Sequence, residues 1–387
     1  MTSVEKVKNL SEVASFDMES CQSSTFLSLG KTQLPIYKAS SPRGSCRLFK
    51  TLLTNKCKMD CKYCINSKCS LRRQPHRYEK GELARTFHFF YKKGLVEALF
   101  LSSSIEEPET NMEEMIEEVK TLREDFRFRG YIHLKILPGS TRDQVRRAAL
   151  YADRLSINLE SISPSHLSEL SSTKDMKNDI LVRQSWIREE VKKRSGLNEP
   201  TAASDDAPPK LRGSRLTHTT QLIVGALGES DKEIFSCAVS EYTHMEVKRV
   251  YYSPFSPILG TPLENHSPAG KWRGHRLYQL DFLYRDYDFK KEEIDLAFRN
   301  DFLPNEDPKV TIARSQLAKP VEINGLGKEE LLRIPGVGPK TAERIASHKG
   351  RISSMLQLHK LGVNLSKALP FIKIDGSYQE RISSFCA

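Results

Sequence analysis

The 387-residue chain contains no run of about 18 apolar residues, so a membrane-spanning helix is not expected. Its opening stretch, MTSVEKVKNLSEVASF, carries acids and lysines without an apolar core, so no secretory signal is expected there. The chain also lacks a secreted disulfide framework. Of its eight cysteines, Cys57, Cys61, Cys64 and Cys69 crowd into thirteen residues. That crowding suits a metal site in a reducing compartment, which implies an intracellular location, whether cytoplasm, nucleoid or nucleus. There is no acidic excess. The formal net charge of +11 points to a polyanionic partner, with a solvated basic surface as the plainer alternative. What is present, 38% hydrophobic and 28% charged residues, is a globular composition long enough for a large barrel plus an accessory module.

From residue 46 to about 255, strand-like runs alternate with helical patterns. CRLFKTLLT (46–54), ALFLSS (98–103), YIHLKIL (131–137), RLSINLE (154–160), TQLIVG (220–225) and KRVYYSPF (248–255) supply six strands. The helix after the second strand is expected to open at Thr110 with a capping box to Glu113. It buries Met112, Met115, Ile116, Val119 and Leu122. A later helix shows the same spacing from Ser230 to Glu233. Six βα units imply a parallel sheet with right-handed crossovers, either an open doubly wound sheet or a partial barrel. In both, the site belongs at the carboxyl ends of the strands. The stretch 195–214, rich in Pro, Ser, Asp and Ala and without aromatics, reads as a disordered insertion. The domain expectation is an N-terminal extension over 1–40, an α/β barrel over 41–303 that a helix near Leu277–Tyr287 closes, a linker at 304–309, and a small all-α domain over 318–387.

Cys57-Lys-Met-Asp-Cys61-Lys-Tyr-Cys64 has the spacing C-x3-C-x2-C, directly after the first of these strands. Thiolates are the soft ligands of iron–sulfur clusters. Three of them on a [4Fe-4S] cube leave one iron free to chelate the amino and carboxylate groups of S-adenosylmethionine (SAM). Reductive cleavage then yields a 5′-deoxyadenosyl radical, a chemistry that belongs to the cofactor and that the protein positions and shields. A four-cysteine zinc knot including Cys69 is the alternative, although such knots usually present two separated pairs. Cys21, Cys46, Cys237 and Cys386 have no motif around them.

Weaker candidates for cofactor binding sit on the other strands. Tyr63 stands just before the last cysteine, where radical SAM enzymes commonly have an aromatic beside the adenine. Ser103 and Ser104, with Glu106 or Glu107, occupy a turn that resembles the Gly-Gly-Glu-like turn receiving the SAM amino group; a plain helix-entry loop has the same composition. Asn158 and Glu160 share one face of the fourth strand by period-two alternation and are candidates for the SAM carboxylate or ribose, or else structural polars. His133 and Lys135 likewise share a face. Gly225 permits close backbone approach to a ligand, or simply turns the chain. No general acid or base stands out, so the catalytic residues stay unassigned.

Residues 331–348, LLRIPGVGPKTAERIASH, read as a helix, a tight turn and a second helix from Pro339. This looks like a helix-hairpin-helix motif. Its turn, Gly336, Val337 and Gly338, presents N–H groups to a phosphate oxygen, and Lys340 with Thr341 follows at the helix start. Leu331, Leu332, Ile334, Val337, Ala342 and Ile345 form its expected core. MLQLHKLGVNLSKALPFI (355–372) resembles a degenerate second half. Residues 318–387 hold eleven Lys and Arg against six acids, which favours nucleic acid over a protein partner.

Taken together, the segments CKMDCKYCIN, LFLSSSIEEPETNMEEMI, FRGYIHLKILPGS, ADRLSINLES, QLIVGALGESDKEI and YYSPFSPILGTPLE, with the helix-hairpin-helix end, resemble the DNA modification/repair radical SAM protein family. The resemblance implies a partial (β/α)6 radical SAM barrel, one [4Fe-4S] cluster, SAM and work on DNA, RNA being the alternative substrate. It also implies a uracil-DNA-glycosylase-like partner, and the chemistry asks for an electron donor of flavodoxin or ferredoxin type. A non-enzymatic DNA-binding protein with a structural metal centre is the contrasting expectation. The chain departs from the family at Ser104, where a glycine is usual, and in SISPSHLSELSSTK, which lacks the family's prolines.

Overall fold

Strand β1 (Cys21–Leu29) and strand β2 (Thr32–Ser41) form an antiparallel hairpin, and β2 pairs antiparallel with β3 (Gly44–Leu52). From β3 onward the sheet is parallel, through β4 (Ala98–Ser102), β5 (Tyr131–Lys135), β6 (Arg154–Ser156), β7 (Thr217–Val224) and β8 (Arg249–Pro254), in sequence order. The result is a curled half-barrel of six parallel strands, extended by the two-stranded hairpin. Helix α1 (Val4–Val13) precedes the sheet. The crossovers carry α2 (Glu82–Lys92), α3 (Pro108–Glu124), α4 (Arg142–Tyr151), α5 (Pro164–Leu170), α6 (Val182–Gly196) and α7 (Asp231–His244). All this is read from a computed structural model that describes residues 4–16, 21–29, 32–41, 44–71, 74–196 and 215–377. Most of the expected insertion (197–214) lies outside them, as does Cys386. No helix among the described residues is long and apolar enough to cross a membrane.

The six expected parallel strands are all present. Every residue of β4 is buried, as a strand covered on both faces requires. Two local expectations fail for physical reasons. Helix α3 starts at Pro108 rather than Thr110, because proline lacks the N–H that the first helical position leaves unbonded. The Asn111 side chain takes the N–H groups of Glu106 and Glu107, each at 2.9 Å, and Glu113 pairs with Arg147 at 2.7 and 2.8 Å instead of closing a capping box. Strand β6 stops at Ser156 instead of Glu160. There the Thr220 hydroxyl replaces ladder bonds, donating to Ile157 O (2.8 Å) and accepting from Leu159 N (3.0 Å). The capping box from Ser230 to Glu233 is formed, with both reciprocal bonds present.

The chain divides into two units, one of residues 1–227 with 236–269, the other of 228–235 with 270–387. In the second, α8 (Lys271–Asp286), α9 (Lys291–Asp295) and α10 (Pro308–Gln316) lead to β9 (Val321–Glu322), α11 (Lys328–Arg333), α12 (Pro339–Ala346), α13 (Met355–Leu361), α14 (Leu365–Ala368) and β10 (Ile372–Lys373). The pairs α11–α12 and α13–α14 share one core. Leu331, Leu332, Ile334, Val337, Ala342 and Ile345 lie in it with Leu358, Val363 and Ala368. The two turns repeat: Gly336 has φ +83° and Gly362 has φ +99°, a conformation that favours glycine. Asn364 N–H donates to Gly336 O at 2.9 Å, and a Cβ on Gly336 would stand 2.4 Å from Asn364 O. A two-residue parallel ladder between β9 and β10 was not expected in an all-α domain.

In the first unit, Gln184 of α6 donates to the carboxylate of Glu241 of α7 at 2.7 Å, and Glu241 is only 4% exposed. Burial pushes its pKa from an ordinary 4.5 to about 7, against the smaller opposing effect of that hydrogen bond. The native state therefore holds the proton more tightly than the unfolded chain. Stability is fully present below about pH 4.5 and falls as pH rises through 7, by about 3 kcal/mol in all. Glu241→Gln should flatten the dependence of Tm on pH between 5 and 8. A variant whose profile follows the wild type would refute this.

Candidate active site at the carboxyl edge of the sheet

The loop after β3 is fixed at its root by Asn55, which donates to Gln74 O (2.7 Å) and accepts from His76 N (2.6 Å). It carries Cys57, Cys61 and Cys64 into one open cleft. The carboxyl end of every parallel strand reaches the same cleft, through Leu52, Ser102, Lys135, Asn158, Ile223 and Pro254. Cys61 is buried and Cys57 and Cys64 half-buried, whereas Cys69 is exposed and does not line the cleft. Among the described residues no three His, Cys, Asp or Glu side chains converge as a single metal ion would need. Three soft thiols facing one cavity are a donor set that fits an iron–sulfur cluster. Burial, then the neighbouring Cys61, pushes the Cys64 thiol up to about 12, and burial also raises Cys57. These sulfurs ionise when a cation takes their protons' place.

Asp60, inside the cysteine triplet, ties this loop to residues 171–173. Its carboxylate accepts from the hydroxyls of Ser171 (2.6 Å), Ser172 (2.5 Å) and Thr173 (2.7 Å), and from the N–H groups of Ser172 and Thr173 at 3.2 and 3.3 Å. Partial burial opposes its charge, but these donors hold the carboxyl well below the usual range. The tie sets the Lys174 side chain, 8% exposed, into the cleft, with Nζ 3.3 Å from Glu160 Oε1 and 3.4 Å from the Tyr63 hydroxyl. Burial works against this ammonium, but Cys61, Glu160 and Cys64 outweigh it and raise its pKa. Neither Asp60 nor Lys174 stood out in the sequence. The available signal was an acid between two cysteines and a distant Ser-Ser-Thr-Lys run.

The other candidates separate clearly. Tyr63, Ser103, Ser104, Asn158 and Glu160 line the cleft. Ser103 Oγ donates to Ser104 O (2.8 Å), and Ser104 N to Thr54 O (2.9 Å), which stitches this turn to the cysteine loop. Glu160, at φ +67°, bridges to Leu222 and is paired with Lys174. Glu106 is drawn to Arg77 at 3.2 Å and does not line the cleft, nor does Gly225. His133 bonds Ser156 at 2.7 Å in a deeper recess that Lys135 also borders.

In the second unit Lys340 is exposed at the start of α12, while Gly336 and Gly338 are half-buried. Thr341 is buried, and its hydroxyl donates to Gly362 O at 3.2 Å, so it joins the two turns rather than facing outward. The carbonyl of Val337 accepts from Lys309 Nζ at 2.6 Å. Burial lowers the pKa of Lys309 to about 7, and its Nζ lies 4.7 Å from the Tyr287 ring centre.

A profile described as the Radical SAM superfamily matches residues 51–236, and one described as Helix-hairpin-helix motif matches residues 327–348. No curated protein sequence matches the chain. Among solved structures, HydG, a maturase of the [FeFe]-hydrogenase, is similar at TM-score 0.45 and 10% identity, over 61% of this chain and 49% of that one. Methylornithine synthase (PylB) follows at 0.43 and 14%, over 60% of each chain. A radical SAM methyltransferase from Sphaerobacter thermophilus has 0.43 and 14%, over 68% and 74%. The chain thus spans about half of the first of these proteins and 60% of the second.

Asp60→Ala removes an ionised acceptor from a half-buried network, at a local cost on the order of 2 kcal/mol. Hydrogen exchange at Ser172 and Thr173 should accelerate at least tenfold while β4 and β5 stay protected. Unchanged exchange at those two amides would show that Asp60 does not hold the loop.

Proposed function

We propose that this protein is a radical SAM enzyme that modifies or repairs DNA, reading residues 51–236, which match the Radical SAM superfamily profile, as a domain that binds a [4Fe-4S] cluster and SAM. The observation that carries the cofactor assignment is the convergence of Cys57, Cys61 and Cys64 on one cleft with the ends of all six parallel strands. These three thiols would hold the cluster. When bound, it supplies the electron that cleaves SAM to a 5′-deoxyadenosyl radical. The chain's own groups do the rest. The Ser103–Ser104 turn and Asn158 would present polar atoms to SAM, Tyr63 would offer its ring to the adenine, and the apolar wall of Ile105, Ile223 and Phe255 would exclude water from the reaction. An electron donor of flavodoxin or ferredoxin type would serve the cluster, and a uracil-DNA-glycosylase-like protein is the proposed partner.

The nucleic-acid half of the reading rests on the second unit. An eight-residue helix starting after Gly338, with exposed Lys340 in its first turn, offers phosphate contacts that do not read sequence. The formal charge of +11 has the same sense.

Anaerobic reconstitution, then reduction with SAM, should release 5′-deoxyadenosine, and Cys61→Ala should abolish both cluster and product. An intact cluster that releases none would overturn the radical assignment. For the substrate, Lys340→Ala in the full chain should weaken duplex DNA binding severalfold and lower the salt slope by about 1. Tight binding of tRNA alone would replace DNA by RNA.

A further inference from the structure

We infer that the Lys174 ammonium is a fixed counter-charge that raises the reduction potential of the cluster, and that Glu160 trims it in the opposite sense. The inference rests on the assignment of Cys57, Cys61 and Cys64 as the cluster's ligands.

Glu160 is the one carboxylate among the described residues lining the cleft, and Lys174 meets it at 3.3 Å. The same Nζ lies 3.4 Å from the hydroxyl of Tyr63, the residue between Cys61 and Cys64 that immediately precedes the latter. Both charges are nearly sealed from water, at 8% and 11% side-chain exposure, so solvent screens them little. The electrostatic reach of the Lys174 ammonium includes Cys61 and Cys64, and Glu160 acts on the Tyr63 hydroxyl beside them. The position is rigid as well, because the bonds from Ser171, Ser172 and Thr173 to Asp60 anchor the residues just before Lys174 to the cysteine loop itself.

Reduction passes one electron to the oxidised cluster, from dithionite in the test, and changes no bond and no proton. The site becomes more negative by one charge. A neighbouring cation favours that product and a neighbouring anion disfavours it, and net charge is one of the terms that set such potentials. The two residues must therefore act with opposite signs.

The test uses the full chain, reconstituted anaerobically without SAM and matched for iron and sulfide content. Dithionite titration is followed by the paramagnetic resonance of the reduced cluster. Lys174→Met should lower the equilibrium constant for reduction about tenfold, or about 59 mV for a one-electron couple. Lys174→Arg should stay near the wild type, and Glu160→Gln should shift the potential upward. Loosening of the loop or entry of water would move both neutral variants the same way, so a common direction, or no shift, overturns the inference. If Lys174→Met loads no cluster, Glu160→Gln decides alone: a rise supports the counter-charge, and a fall or no change refutes it. A wild-type chain that loads no iron would instead overturn the cysteine assignment itself.

Discussion

The geometry of the first unit follows from one constraint, that six strands in parallel must all end on the same edge of the sheet. Each crossover returns the chain to the opposite edge before the next strand starts, so chemistry can gather only where the strands stop. The registers from Leu48↔Ala98 through Val224↔Pro254 keep those ends in step. Loops beyond them are then joined by short backbone bonds, Ser104 N to Thr54 O and Ile136 N to Ser156 O among them. A cleft assembled from six segments far apart in sequence is the outcome.

Charge inside the molecule is tolerated only in company. Arg123, at the opposite edge, is almost wholly buried and satisfied by Asp153 and by the carbonyls of Tyr151, Phe128 and Gly130. In the second unit, Arg273 answers the fully buried Asp231 at 2.9 Å. Such pairs close gaps between elements, and breaking one strands an uncompensated charge. Lys174 and Glu160 differ in that their pair, though nearly sealed from water, lines the cleft that holds the three cysteines.

What was legible in the sequence was local. The C-x3-C-x2-C spacing, the buried run of β4, the Met112–Leu122 face of α3 and the Pro-Gly-Val-Gly turn each declare themselves within twenty residues. What was missed depends on partners far away. Asp60 meets Ser172, and Lys174 meets Tyr63, across more than a hundred residues, and no periodicity signals that one loop will hold another. The alternation in RLSINLE promised a longer strand, which the Thr220 hydroxyl cut short by supplying the bonds itself. The hairpin of β1 and β2 pairs only at the sheet's margin, where alternation is weak, so the first forty residues looked like a mere extension.

The bond between the two turns of the second unit has a mechanical corollary. Asn364 N–H is held by Gly336 O, the space above Gly336 is filled by the Asn364 carbonyl, and Thr341 adds a strut to Gly362. There is no slack between the turns in which a hinge could work. Force applied at one loop is passed to the other as through a welded joint, so a stiff rod pressed against this surface would meet one rigid shoe rather than two independent feet.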